Sequence, residues 1–155
     1  MSPMPDDDPR FIDTYDAPLG QAMLEMSHGV TGVPDYLGIE LVGIGPGWVV
    51  GEMAVRSELL NPFGAMHGAA VAALVDHVLG SAVFPLIPRG TWPATLEFKI
   101  NYLAPVRDGV VRAESRVVAL TTRTAVVSVE VSNGGRAVGT ALGTIALTAP
   151  KAADG

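Results

Sequence analysis

The sequence predicts an α+β fold in which a curved antiparallel β-sheet wraps around one long central α-helix. Three observations carry this. The order of elements is helix, two strands, one long apolar helix, then four strands, with no βαβ alternation of the kind that builds a parallel doubly wound sheet. The long helix is rich in Ala and Gly, which suits close approach by other backbone. The last two strand-like runs meet at Asn133-Gly134-Gly135, whose residues accept the left-handed backbone of a tight hairpin.

Residues 1–16, rich in Asp and Pro, read as a flexible acidic tail ahead of a single domain over 17–148, and 149–155 as a second flexible tail. Pro18 to Ser27 places Leu19, Met23, Leu24 and Met26 at helical spacing, with Gly29 as a stop and His28 as a surface residue. Leu37–Ile44 and Trp48–Val55 form strands around the Gly45-Pro46-Gly47 turn. The loop Asn61–Gly68 leads into a helix over Gly68–Phe84. Ala94–Leu103 then alternates, with Leu96, Phe98, Ile100 and Tyr102 on one face and Thr95, Glu97, Lys99 and Asn101 on the other. Strands at Val110–Leu120, Thr124–Ser132 and Ala137–Thr148 complete the set.

Composition narrows function. At 155 residues the chain suits one domain with a real core. It contains no cysteine, so a disulfide framework, a thiolate nucleophile and a Cys-based metal site are excluded. Its three His fall in no HxxxH or HExxH pattern, so no metal site is expected. A net charge of −6 without a Lys/Arg-rich tract argues against a nucleic-acid partner. The apolar run Gly68–Ile87 is interrupted by Asp76-His77 and closed by Pro85 and Pro88, as in a buried soluble helix and not a membrane span. With no basic n-region before an apolar stretch at the N-terminus, the expected location is cytoplasmic. Charge is also uneven: residues 1–88 carry eleven acids against Arg10 and Arg56, whereas 89–136 carry seven cations against four acids, enough to hold a small polyanion.

The chemistry concentrates in Asn61-Pro62-Phe63-Gly64-Ala65-Met66-His67-Gly68 and in Asp76. A helix N-terminus offers unpaired N–H groups and a positive dipole end, so Gly68 can bring an amide close to a developing oxyanion with no Cβ in the way. The Asn61 amide can polarise the same oxygen, although Asn-Pro is also a common turn initiator. Asp76 lies among Leu74, Val75, Val78 and Leu79, where burial would raise its pKa and sharpen it as a base; the alternative is a carboxylate holding backbone or an Arg. His67 can orient substrate, hold the loop or transfer a proton, and the orienting role is favoured. His77 follows Asp76 on a different face of the helix, so a direct dyad is not expected.

Asn61-x5-His67-Gly68-x7-Asp76, followed by Thr95-Leu-Glu-Phe-Lys-Ile-Asn-Tyr-Leu-Ala-Pro105 and the Gly135–Leu147 strand, resembles the PaaI-like branch of the hotdog-fold acyl-CoA thioesterases over residues 35–148. The resemblance implies a hotdog fold and hydrolysis of an acyl-CoA (aryl-acyl or short to medium fatty acyl) to acid and CoA, with no cofactor. It implies Asp76 as base or nucleophile, Gly68 with His67 and Asn61 as carbonyl-polarising groups, and Thr95 as a positioner of water. It further implies CoA contacts at Arg107 and Arg123 near Tyr102 and Thr122. The site would lie at the interface of a homodimer or tetramer, Asp from one subunit and Asn with His-Gly from the other. Many relatives have His-Gly-Gly where this chain has His67-Gly68-Ala69, a difference that bears on acyl preference. Hotdog dehydratases need a His with a carboxylate in another loop context, which is not found. A non-catalytic acyl-CoA-binding hotdog protein would keep the basic contacts and lack the base.

Overall fold

The computed structural model describes residues 3–29 and 31–149. Two short helices, α1 (Ala17–Met26) and α2 (Val33–Leu37), precede the strands β1 (Ile39–Gly45) and β2 (Trp48–Ala54). The helix α3 (Gly68–Val83) is followed by β3 (Trp92–Tyr102), β4 (Val110–Leu120), β5 (Thr124–Asn133) and β6 (Arg136–Thr148). The six strands form one antiparallel sheet in the order β1-β2-β4-β5-β6-β3.

The sheet closes over one side of α3. Ala70, Val71, Leu74, Val75, Val78, Leu79, Ala82 and Val83 are buried, the stripe that a 3.6-residue period gives. They meet the inward residues of the strands, among them Val49, Met53, Val111, Val127 and Ile145. Gly51 and Gly143 are needed here: a Cβ would fall 2.7 Å from Val78 on the first and 3.0 Å from Leu79 on the second. By length and composition Gly68–Leu86 could cross a membrane, yet its aliphatic side is the core of this sheet.

Three sequence expectations change. The strand expected from Leu37 begins at Ile39, because Pro34 starts the short helix α2 and Gly38, at φ +72°, closes it in the left-handed conformation. Of the small residues of α3, Ala70 and Ala82 lie under their own sheet and the others do not. Ala69, Ala72, Ala73 and Gly80 form, with Asp76, the side of α3 that its own chain leaves open.

The third change concerns residues 3–16, expected as a loose tail. Residues 3–11 run as a strap across the outer face of β1, β2 and β4, while 1–2 and 150–155 lie outside the described residues. Phe11 is buried in the core cluster, Asp8 N–H donates to the Pro46 carbonyl at 3.0 Å, and Trp48 Nε1 donates to Asp7 at 2.9 Å. Arg112, only 9% exposed, pairs with Glu52 at 3.1 Å and donates to the Pro3 carbonyl at 3.2 Å. The acidic composition suggested a solvated segment, but its apolar members Met4 and Phe11 fall where β1 and the following turn present Gly43, Gly45 and Gly47.

Candidate active site

The segment Leu60–Met66 is a closed loop, not an open one. Asn61 N–H donates to the Ala65 carbonyl at 2.7 Å, and Leu60 bridges Met66. Asn61 Oδ1 accepts from Phe63 N–H at 2.9 Å and Ala65 N–H at 3.2 Å. The turn-forming and chemical readings of Asn61 are therefore compatible: the oxygen shapes the loop, and the Nδ2 amide remains a donor. Gly64 sits at φ +72°, a conformation that L side chains rarely adopt.

His67 is the N-cap of α3. Its Nδ1 accepts from Ala69 N–H at 3.0 Å, satisfying one of the unpaired donors of the first turn. Among the described residues the Gly68 N–H has no backbone or side-chain acceptor. It therefore meets the requirement for an oxyanion donor: an amide at a positive helix end with nothing already bound. Asn61 and Gly68 border the same cavity of 280 Å³, together with Val71, Tyr102 and Leu103.

Asp76 and Thr95 stand elsewhere. Both border open grooves between α3 and β3, beside Ala72, Ala73 and Gly80. Gly68 and Asp76 are about 12 Å apart along the helix axis, and no residue lining the first cavity lines either groove. Asp76 is exposed, so the desolvation expected from its apolar neighbours in sequence is not supplied by its own chain: Leu74, Val75, Val78 and Leu79 turn to the other side of the helix.

The strict alternation read for β3 also fails at Thr95. The register with β6 slips between Thr95 and Glu97, leaving Leu96 as the extra residue of a bulge. Thr95 consequently pairs with Ile145 and Phe98 with Gly143, both inward positions, so Thr95 faces α3 along with Phe98 instead of facing away from it. Leu96 is left 62% exposed. No Gly or other bulge-favouring residue marks the position in this stretch.

The four residues expected around CoA do not converge within one chain. Tyr102 Oη donates to the Gly68 carbonyl at 2.8 Å, and its ring lies so close that a Cβ on Gly68 would sit 3.0 Å from it. Arg107 Nη1 donates to the carbonyls of Phe63 at 3.1 Å and Gly64 at 3.2 Å, fastening the Asn61 loop. Arg123 and Thr122 lie in the β4–β5 turn, at the other end of β4. Most of the cationic excess is structural, since Arg89 holds Asp16, Arg112 holds Glu52 and Arg136 donates to the Pro105 carbonyl. Among the described residues Lys99 and Arg123 are the cations whose side chains make no such contact.

His77 makes no hydrogen bond to Asp76. Burial pushes its imidazole below the ordinary range, against the opposing pull of the Asp76 charge. Among the described residues no three His, Asp or Glu side chains converge as metal ligands.

Residues 63–140 match the family profile described as the thioesterase superfamily. A Pasteurella multocida protein provisionally assigned as an esterase is 31% identical over 98 residues, which are 63% of this chain and 70% of that protein. Human acyl-coenzyme A thioesterase 13 is 35% identical over 71 residues, 46% of this chain and half the length of that relative. A mutant of the phenylacetic acid degradation protein PaaI from Thermus thermophilus superposes with a TM-score of 0.68 at 30% identity, covering 73% of this chain and 96% of that one. With the profile spanning half the chain, and with one helix inside one curved antiparallel sheet, this protein belongs to the thioesterase superfamily and carries its PaaI-like hotdog fold.

Proposed function

We propose that this thioester hydrolase cleaves acyl-CoA at a site completed by two copies of the chain, with Asn61 and Gly68 of one copy facing Asp76 and Thr95 of the other. The observation that carries the reading is the division of the reactive groups. One chain holds the oxyanion donors in one cavity and the carboxylate and hydroxyl in separate grooves.

A partner has an obvious place to bind. Among the described residues the edge strand β3 pairs only with β6, and its own Trp92 and Leu96 are 65% and 62% exposed. The open side of α3 beside it carries the small residues Ala69, Ala72, Ala73 and Gly80, which allow close approach. An eleven-residue strand with one free edge and exposed apolar side chains is a template for strand pairing, and suits a twofold copy of itself. Docking there takes Asp76, exposed in the single chain, out of bulk water.

In the reaction, the thioester carbonyl oxygen accepts hydrogen bonds from the Gly68 N–H and the Asn61 amide. Asp76 either takes a proton from water held by the Thr95 hydroxyl, so that the water oxygen attacks the carbonyl carbon and expels CoA thiolate to leave the free acid, or attacks that carbon itself, expelling CoA thiolate to form an acyl–Asp76 anhydride that water then hydrolyses to the free acid and the restored carboxylate. His67 holds the first turn of α3 and so keeps the Gly68 amide aimed. Arg123, whose side chain makes no contact among the described residues, is suited to the CoA phosphates.

The test is thiol release from phenylacetyl, benzoyl, short-chain and long-chain acyl-CoAs by wild type and Asp76→Ala. Loss of at least about a hundredfold in turnover, with oligomer size unchanged, supports the assignment. Near-normal turnover removes Asp76 from the chemistry. No release from any ester, with CoA still bound, moves the protein to the acyl-CoA-binding reading.

A further inference from the structure

Both carbonyl-polarising groups are tied down by one neighbouring segment. Between β3 and β4 the chain runs from Tyr102 to Arg107, fixed to β6 by Leu103 N–H on the Val138 carbonyl at 2.8 Å and by Arg136 on the Pro105 carbonyl at 2.8 Å. Its Val106 carbonyl accepts from Met66 N–H at 2.7 Å, so the loop that carries Asn61 rests on it. Tyr102 and Arg107 are exposed and add little to the core, yet each directs its polar end to main-chain carbonyls beside a donor.

The same pattern occurs at both donors. The Gly68–Ala69 peptide group is held at its carbonyl by Tyr102 Oη at 2.8 Å and at its N–H by His67 Nδ1 at 3.0 Å. The Gly64–Ala65 peptide group is held at its carbonyl by Arg107 Nη1 at 3.2 Å and at its N–H by Asn61 Oδ1 at 3.2 Å. Gly68 has no Cβ, so its backbone torsions would otherwise be the freest of the first turn. With the following peptide fixed, the preceding one, which carries the donor N–H, has little freedom left to rotate. Asn61 Oδ1 lies in the plane of its own side-chain amide, so an oxygen held on a fixed peptide sets the direction of Nδ2.

A developing oxyanion gains from a donor only over a narrow range of distance and angle. We propose that Tyr102 and Arg107 are positioning residues, which act on turnover by aiming the Gly68 N–H and the Asn61 amide at the thioester oxygen. This rests on the thioesterase reading above.

Tyr102→Phe keeps the ring and deletes only the hydroxyl, and Arg107→Met keeps the length and deletes the donors. Each should lower kcat by about tenfold or more, with KM for the preferred ester within about twofold of wild type. In an Asn61→Asp background Arg107→Met should cost less than about a further twofold, since the donor it aims is already gone. A readout without turnover uses two CoA analogues: a ketone with a methylene in place of the thioester sulfur, and its counterpart with a methylene in place of the carbonyl as well. Calorimetry should show the wild type binding the ketone about fivefold more tightly, the worth of a hydrogen bond to the carbonyl, and both variants should bring that ratio toward one. Raised KM with kcat unchanged, and equal weakening of both analogues, would make the two side chains direct CoA contacts and overturn the proposal. Wild-type values of kcat in both variants would overturn it as well. No hydrolysis of any ester by the wild type, with the ketone preference present and lost in the variants, sinks the thioesterase reading and keeps the positioning role.

Discussion

Mixing two inactive variants should restore activity if the site is divided between chains. Asp76→Ala removes the carboxylate. Asn61→Asp removes the amide donor while keeping Oδ1, which accepts from Phe63 and Ala65, so the loop is preserved. Each homodimer should lose at least about a hundredfold in turnover. In a mixed dimer one site inherits both defects, and the other inherits the intact Asp76 of one chain and the intact Asn61 of its partner. Random pairing makes half the dimers mixed, each with one good site of two, so the mixture should recover about a quarter of wild-type activity by twofold symmetry. Co-expression with two different affinity tags allows the mixed species to be isolated, where recovery should approach about one half on the same argument. Thiol release from the preferred ester is the assay. A purified mixed dimer no more active than its parents would refute the divided site and require Asn61 and Asp76 to reach one substrate from a single chain.

Gly68→Ala should lower turnover by about ten- to hundredfold, because its Cβ would press on the Tyr102 ring and shift the donor amide; the loss should shrink in a Tyr102→Ala background, measured by steady-state kinetics. His67→Ala should cost about 1 kcal/mol of stability in urea unfolding through loss of the cap, and His67→Asn should recover most of it. Arg123→Ala should raise KM for CoA esters with little change in kcat, while an unchanged KM would take Arg123 out of the site. The Asp16 carboxyl is held below its ordinary value, first by the Leu19 N–H and also by Arg89, so the unfolded chain binds its proton more readily. Its contribution is present above the unfolded value of 3.8 and is lost as pH falls through the lower folded value; Asp16→Asn should flatten that part of an acid unfolding curve.

Much of this architecture was legible because it depends on short-range signals. The hairpin at Asn133-Gly134-Gly135, the turn at Gly45-Pro46-Gly47 and the His67 entry to α3 follow from local backbone chemistry, and each stands where the residues put it. The reactive residue types were legible too, and their positions less so. Thr95 faces the helix through a bulge that alternation cannot reveal, since Leu96 is as apolar as the residue that a regular strand would turn inward. Asp76 looked buried because its sequence neighbours are aliphatic, but helical rotation sends them away from it. Tyr102 and Arg107 looked like ligand contacts, and both are committed to main-chain carbonyls around Gly68 and Gly64.

The strap over the outer sheet face also governs the order in which the chain can assemble. Pro3 meets Arg112 across 109 positions, and Asp6 meets Arg116 across 110. Contacts so distant in sequence form late and slow a folding reaction. During synthesis residues 3–11 must therefore wait for β4, so the β1–β2 surface they later cover stays open to chaperones, or to strands of neighbouring chains, until β4 has been made.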